Sequence, residues 1–538
     1  MNTSCRFLFF ISVILFSLSC ARTGRPDGGP KDEDAPLFVT AKPPYESINF
    51  NKKEVKLTFN EFVKLKDINK QFVVSPPMKN PPLISPQGSA SKELKIEIID
   101  TLQLNTTYIF NFGNAVEDNN EGNKLENFKY VFSTGNYIDS LTTSGSIKDA
   151  QLIETPRNVN VLLYRIDTAF TDSIVYKKKP NYITSTLDTT NFQFTNLRKG
   201  KYLMIALKET INDYIFDPAT DKIGFITDTI QLPRDSIISK SIILFKEVLP
   251  YEFKRAKEIT RGKIEFGFEG NAKDMKVNLL SKVSDTFKSV SKFMVDKDTL
   301  NYWFTPIDVD SLNFIVSNKE FLDTVTVKLR KNKLDSLEIS TSTRSVLHFR
   351  DTFFLKSNNP IVKIDTTKIN LFDKDTIAVK YEVLASKKEN KIGFIFDKKP
   401  KDKYQFKAFP DAFNDVFGIK NDTLSYTFST KEIDDYGRIS ININNVNSRN
   451  LIIEILSGNK QNDVIERQFI STSTKVVFDL LEPKKYTIRA IVDENNNQKW
   501  DTGSFLDKRL AERIIYHKTL NNAELRANYF LEENFTID

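Results

Sequence analysis

Cysteine is nearly absent. The 538 residues contain two, Cys5 and Cys20. Cys5 lies in an N-terminal leader, so the processed chain keeps Cys20 alone and no intramolecular disulfide can form. A chain of this length must then be held by ordinary apolar cores. Histidine is as scarce: His348 and His517 are the two present. They are not at metal-ligand spacing and neither begins a His-x-x-Glu pair, which excludes a zinc site of the two-histidine, one-glutamate kind. No Gly-x-Ser-x-Gly elbow and no phosphate-cradling glycine loop occur. A glycosidase carboxylate pair stays open, because any two of 70 acidic residues can meet in space. The reading is otherwise of a protein that is not an enzyme. The net charge of +7 is spread thinly, without a dense Lys/Arg block, so nucleic acid is not expected as a partner. No apolar run reaches the roughly 20 residues a membrane-spanning helix needs.

What is present begins at the N-terminus. Arg6 precedes the apolar run Phe7 to Leu18, followed by Ser19 and Cys20. A basic start, a short apolar stretch and a small residue before the cut form a secretory signal peptide. Residues 21 to 36 are rich in Gly, Pro and charge and form a flexible tether. Beyond them the signal is strand nearly everywhere. Val55-Leu57-Phe59, Ile96-Ile98, Tyr108-Phe110-Phe112 and Tyr130-Phe132 alternate apolar with polar neighbours. Period two with turn residues between reads as half-buried antiparallel strands, and short strands at this spacing read as sandwiches. At most one short helix is expected, within Lys64 to Gln71. The fold class expected is all-β.

Two internal repeats organise the map. Tyr130-x-Phe132-Ser133-Thr134 recurs as Tyr426-x-Phe428-Ser429-Thr430, and Asn114-Ala115-Val116-x-Asp118 as Asp411-Ala412-Phe413-x-Asp415. Phe194, Leu197, Tyr202, Ala206 and Leu207 recur as Phe478, Leu481, Tyr486, Ala490 and Ile491, at one common offset. The chain reads as a leader over 1–19 and a tether over 20–35. An Ig-like domain over 36–136 and a second sandwich over 143–246 follow. A middle β domain over 256–340, a degenerate Ig-like copy over 345–432 and a final sandwich over 434–538 complete it. Stretches near 136–142, 247–258 and 431–436 read as exposed linkers open to proteolysis.

Four resemblances add to this reading. The run ending in Ser19-Cys20 resembles a bacterial lipoprotein signal, with Ser17 where the family usually has Leu. The resemblance implies that Cys20 is acylated, with palmitate or a similar chain. Leu57-Thr58-Phe59-Asn60-Glu61-Phe62, Asn105-Thr106-Thr107-Tyr108 and Tyr130-Val131-Phe132-Ser133-Thr134 resemble the SbsA-type bacterial Ig-like domain of surface proteins. Gly28-Gly29-Pro30-Lys31-Asp32 resembles the tether of Bacteroidota lipoproteins that carry this domain. Gly145-Ser146-Ile147-Lys148-Asp149, Val161-Leu162-Leu163-Tyr164 and Phe192-x-Phe194-x-Asn196-Leu197 resemble the transthyretin-like, carboxypeptidase-regulatory type of sandwich. Both module families are non-catalytic as a rule. Together they imply a lipid-anchored outer-membrane protein, on the periplasmic or the outer side, whose modules present surfaces to another cell-envelope protein. The alternative is a glycan-binding surface lipoprotein.

One loop carries further chemistry. Asp493, Asn495, Asn497 and Asp501 stand at positions 1, 3, 5 and 9 of an acidic, Asn-rich run. Oxygen donors at this spacing suit Ca²⁺, and the run resembles the start of an EF-hand-like or dockerin-like loop. Gln498 replaces the glycine at position 6 and Ser504 the glutamate at position 12, so Asp507 or Glu512 would complete a weak calcium site. The competing reading is an Asn-rich turn in which Asn and Asp bond their own backbone; no other cofactor is expected. Trp303, in Asn301-Tyr302-Trp303-Phe304, and Trp500 are candidates for a sugar platform or for core.

Overall fold

The computed structural model describes residues 31–537 apart from 295–296, 331–332, 344, 387 and 459–462. The leader, Cys20 and Gly28 to Pro30 lie outside the described residues. Within them the chain is a tandem of β-sandwiches, with one four-residue α-helix, Ile68–Gln71, and three 3-10 turns.

The alternation read from sequence sets each sheet face. In Glu54–Leu65, Val55 and Leu57 are fully buried and pair across the ladder with Ile96 and Leu94. The facing sheet supplies Phe110, Phe112, Tyr130 and Phe132 to the same core. Phe110 meets the Phe132 ring edge-on at 5.3 Å. Each such ring buries on the order of 150–250 Å², which makes these aromatics the main stabilising contacts of the first sandwich.

Four more sandwiches follow. The second joins the ladder Tyr182–Ser185, Asn160–Arg165, Gly200–Lys208, Lys222–Phe225 to the ladder Asn191–Leu197, Leu141–Asp149, Ile242–Leu244. The third packs Phe266, Tyr302 and Phe304 against Phe314 and Val316. The fourth packs Phe353 and Phe394 against Phe406 and Phe428. The fifth repeats the second strand for strand. Asp463–Ile470, Leu451–Ser457, Lys485–Val492, Ile514–Tyr516 form one sheet, and Thr474–Leu481, Gly437–Asn444, Phe530–Thr536 the other. In both, the last strand joins its sheet in parallel.

The repeats extend to single hydrogen bonds. Thr134 Oγ1 donates to the Gln103 carbonyl at 2.6 Å, and Thr430 Oγ1 to that of Lys399 at 2.5 Å. The Tyr108 hydroxyl accepts the Gln103 N–H, as Tyr404 accepts that of Lys399, both at 2.8 Å. Tyr202 and Tyr486 close the second pair, donating to Arg198 and Glu482 carbonyls at 2.9 Å.

Two boundaries differ from the sequence reading. Glu252–Thr260 is a strand of the third sandwich and starts before residue 256. Ile339–Thr341 pairs with Phe353–Ser357, so it belongs to the fourth sandwich, not to the middle domain ending at 340. Glu252–Thr260 is mostly exposed and lacks clean alternation, and Ile339–Thr341 is three residues long with none buried, which hid them.

The linkers also differ. Asp139, in the first linker, is buried and accepts from Thr107 Oγ1 at 3.0 Å and Arg198 Nε at 3.1 Å. Glu432 and Asp435 form a capping box at the third, and buried Tyr436 meets the His348 ring edge-on at 4.9 Å. In the second linker, Glu247 accepts the Phe505 N–H at 2.5 Å. The junctions are short and pinned by partners far along the chain, which a local reading of polar residues misses.

A further fastening joins the second sandwich to the fifth. Phe505 is fully buried among Phe216, Phe225, Phe245 and Val175, residues of the second sandwich's outer face. Its ring stands edge-on to Phe225 at 5.4 Å. Gly503 is required there: a Cβ would lie 2.5 Å from the Phe245 ring. Thr502 Oγ1 donates to the Lys246 carbonyl at 2.5 Å, and Lys508 pairs with Asp172 at 2.7 Å.

Candidate functional site

The Asn-rich loop leaves the strand Lys485–Val492 and runs straight into this clasp. Asp493 is buried, and its carboxylate accepts the N–H groups of Asn497 at 3.0 Å and Gln498 at 2.8 Å. Asn495 Oδ1 also accepts from Asn497, and Asn497 Oδ1 from the Lys499 N–H. The Asn495 and Asn497 amides both donate to Asp501 Oδ2, and Lys499 Nζ lies 3.2 Å from Asp501 Oδ1. Burial pushes the Asp501 carboxyl up, but these donors outweigh it and hold it below the ordinary range.

Glu512 closes the loop from the other side. Its two oxygens accept the N–H groups of Glu494 at 2.9 Å and Asp501 at 2.8 Å. Trp500 Nε1 donates to the Glu512 carbonyl at 2.9 Å. Burial raises the Glu512 carboxyl, with backbone bonds opposing. Of the two outside ligands considered, the structure brings Glu512 to the loop and leaves Asp507 exposed.

The same loop stands in the second sandwich 284 residues earlier, without the asparagine pattern. Glu209 occupies the place of Asp493 and accepts the Tyr214 N–H at 2.7 Å. Asp221 does the work of Glu512, accepting from Thr210 at 3.1 Å and Asp217 at 3.0 Å. Tyr214 and Gln498 share a left-handed φ, 65° and 64°. Ile211 replaces Asn495, so an apolar residue serves where a calcium ligand would be. Two backbone-capped carboxylates therefore suffice to build this loop. Among the described residues, no group of three or more His, Cys, Asp or Glu comes together as metal ligands. The plain turn is the reading that the geometry carries. Burial pushes Glu209 up to about 7. The shared offset was the signal that could have exposed this twin in the sequence.

The remaining candidates are occupied structurally. Asp118 accepts four successive backbone N–H groups, from Asn120 to Asn123, and so closes a turn. His348 bonds the Leu480 carbonyl at 2.8 Å, and His517 that of Asn534 at 3.1 Å. Neither tryptophan forms an exposed platform. Trp500 packs against the clasp, and Trp303 is buried on the sheet face opposite the core residues Tyr302 and Phe304. Sequence reading missed Glu454, buried between the Arg467 and Arg489 guanidiniums at 2.6 Å each. No helix among the described residues is long and apolar enough to cross a membrane.

A family model described as a bacterial Ig-like domain matches residues 32–134. No curated protein matches the chain. Among solved structures, domains 1–6 of the surface layer protein SbsC overlap at 12% identity and TM-score 0.17, with 90% of this chain and 67% of that one covered. The N-terminal eight Ig domains of Down Syndrome Cell Adhesion Molecule overlap at 10% identity and TM-score 0.15, covering 91% and 69%. The major pilin subunit BcpA of Bacillus cereus overlaps at 7% identity and TM-score 0.14, covering 74% and 99%. Superposition at these scores is too poor to carry a functional argument.

Proposed function

We propose that this protein is a non-catalytic structural or adaptor protein of the cell envelope, anchored to the outer membrane by an acyl chain on Cys20. The resemblances to Bacteroidota lipoproteins and to transthyretin-like modules support this reading, as does the match to a bacterial Ig-like domain. The observation that carries it is the clasp. Phe505 of the last sandwich is buried in the second, so the second and fifth sandwiches are fastened together. A fastened scaffold presents its outer strands in a fixed arrangement.

The edge strand Asp463–Ile470 is the surface best suited to a protein partner. It is the outermost strand of its sheet, and Ile465 and Phe469 are 40% and 49% exposed. An edge offers unpaired backbone groups to an added strand, and alternate side chains give that strand its register. The test is affinity purification from native membranes with the wild-type chain and with Phe469→Lys. An adaptor co-purifies a stoichiometric envelope protein with the wild type and loses it with the variant. Recovery of the lone chain in both cases contradicts the reading.

A further inference from the structure

We propose that the cleft between the third and fourth sandwiches binds an anionic saccharide, with Trp303 and Asn301 in its floor and lysines of both sandwiches in its walls. The cleft measures about 420 Å³, within the roughly 300–1,000 Å³ of small-ligand sites. Lys263, Lys292 and Lys297 line it from the third sandwich, and Lys356, Lys388 and Lys391 from the fourth. The one acidic residue among the described lining is Glu389, already paired with Lys391.

Strand register concentrates this charge. Lys263 stands opposite Trp303, with its ammonium 5.5 Å from the ring centre. Lys292 stands opposite Asn301 and donates to the Glu389 carbonyl at 2.9 Å, bridging the two sandwiches. Lys356 is directly opposite Lys391. Like charges in opposed positions destabilise a sheet. Glu389 offsets the charge of Lys391, and an anion held between the two walls would meet the exposed Lys356 and Lys388.

The floor supplies an independent observation. Trp303 and Asn301 are each 1% exposed, yet the indole N–H and the Asn301 Oδ1 have no hydrogen-bond partner. Asn390 Oδ1, on the opposite wall, lacks one too. A buried polar atom without a partner costs about 1–3 kcal/mol. The cleft therefore lacks both a donor and an acceptor. A sugar hydroxyl is both at once, and a carboxylate or sulfate on the same ligand meets the lysines.

The test is calorimetric titration of the full chain with tetragalacturonate, a heparin-derived tetrasaccharide, neutral maltotetraose and inorganic phosphate. At least one anionic saccharide is expected to bind ten times or more tightly than maltotetraose and phosphate, and more weakly as salt rises. The double variant Lys356→Glu, Lys388→Glu should weaken that binding at least tenfold. Lys356→Glu also converts the like-charge pair with Lys391 into an opposite one, so the melting temperature should not fall. Three results would overturn the proposal: no binding of either anionic saccharide, equal binding of maltotetraose or phosphate, or affinity undiminished in the double variant.

Discussion

Phe505→Ala is the substitution that bears most directly on how the chain is assembled. The ring is fully buried, edge-on to Phe225 and beside Phe245, inside the second sandwich's outer core. Truncating a buried Phe costs about 3–5 kcal/mol in lost transfer energy and cavity. The side chain belongs to the fifth sandwich, but its neighbours belong to the second. The loss should therefore fall on the docking of the two and spare the fifth sandwich's own core, which lacks Phe505. At about 1.4 kcal/mol per decade, the docked population falls by roughly two to three and a half orders of magnitude relative to the undocked one. Hydrogen exchange resolves this. The Phe505 N–H, held by Glu247, and the amides of Lys222–Phe225 should exchange faster by that factor. Amides of Leu451–Ser457, inside the fifth sandwich, should keep their protection. Gly503→Val should act likewise, because its side chain would collide with the Phe245 ring. Unchanged protection at Phe505 and Lys222–Phe225 in both variants would refute the clasp.

Three further outcomes follow from particular groups. Burial holds Glu209 at about 7, against an ordinary value of 4.5. The folded chain thus keeps a proton that the unfolded chain has released, and stability falls as pH rises through that window, by at most about 1.4 kcal/mol per unit. Denaturation at pH 5 and pH 8 should show the loss, and Glu209→Gln should flatten it; an unchanged slope in the variant speaks against the assignment. Calcium at several millimolar should not raise the melting temperature, because backbone N–H groups already occupy both Asp493 oxygens. A calcium-dependent rise abolished by Asp493→Ala would restore the metal reading. Cys20→Ala should release the chain from membranes after a salt wash, since acylation is the proposed anchor; continued pelleting would remove Cys20 from that role.

Much of the fold was legible in the sequence because a sheet writes its two faces into alternate residues. Val55-Leu57-Phe59 and Tyr130-Phe132 marked buried faces directly. The same rule, carried one residue further, bears on Trp303. With Tyr302 and Phe304 in the core, Trp303 must face the other way. What covers that second face is the fourth sandwich, whose lysines lie far along the chain, so the cleft left no local trace. The clasp was hidden for the same reason. Phe505 sits in a loop without alternation, just before the exposed Leu506 and Asp507, and its partners are more than 250 positions away. The side chains of the Asn-rich loop match ligand spacing, which set a cation site beside the plain turn as a reading of the sequence. Its twin at Glu209 shows that the loop's fixed requirement is two carboxyl groups that accept backbone N–H groups.

Site-specific photo-crosslinking in intact cells tests the adaptor role most directly. A photoreactive residue at Ile465 or Phe469, on the exposed edge of the last sandwich, should give one discrete adduct with an envelope protein. The adduct should disappear in the Cys20→Ala background, and a probe at Ile211, on the second sandwich's loop, should not reproduce it. No adduct from either edge position, with the chain still bound to the membrane, would contradict the account.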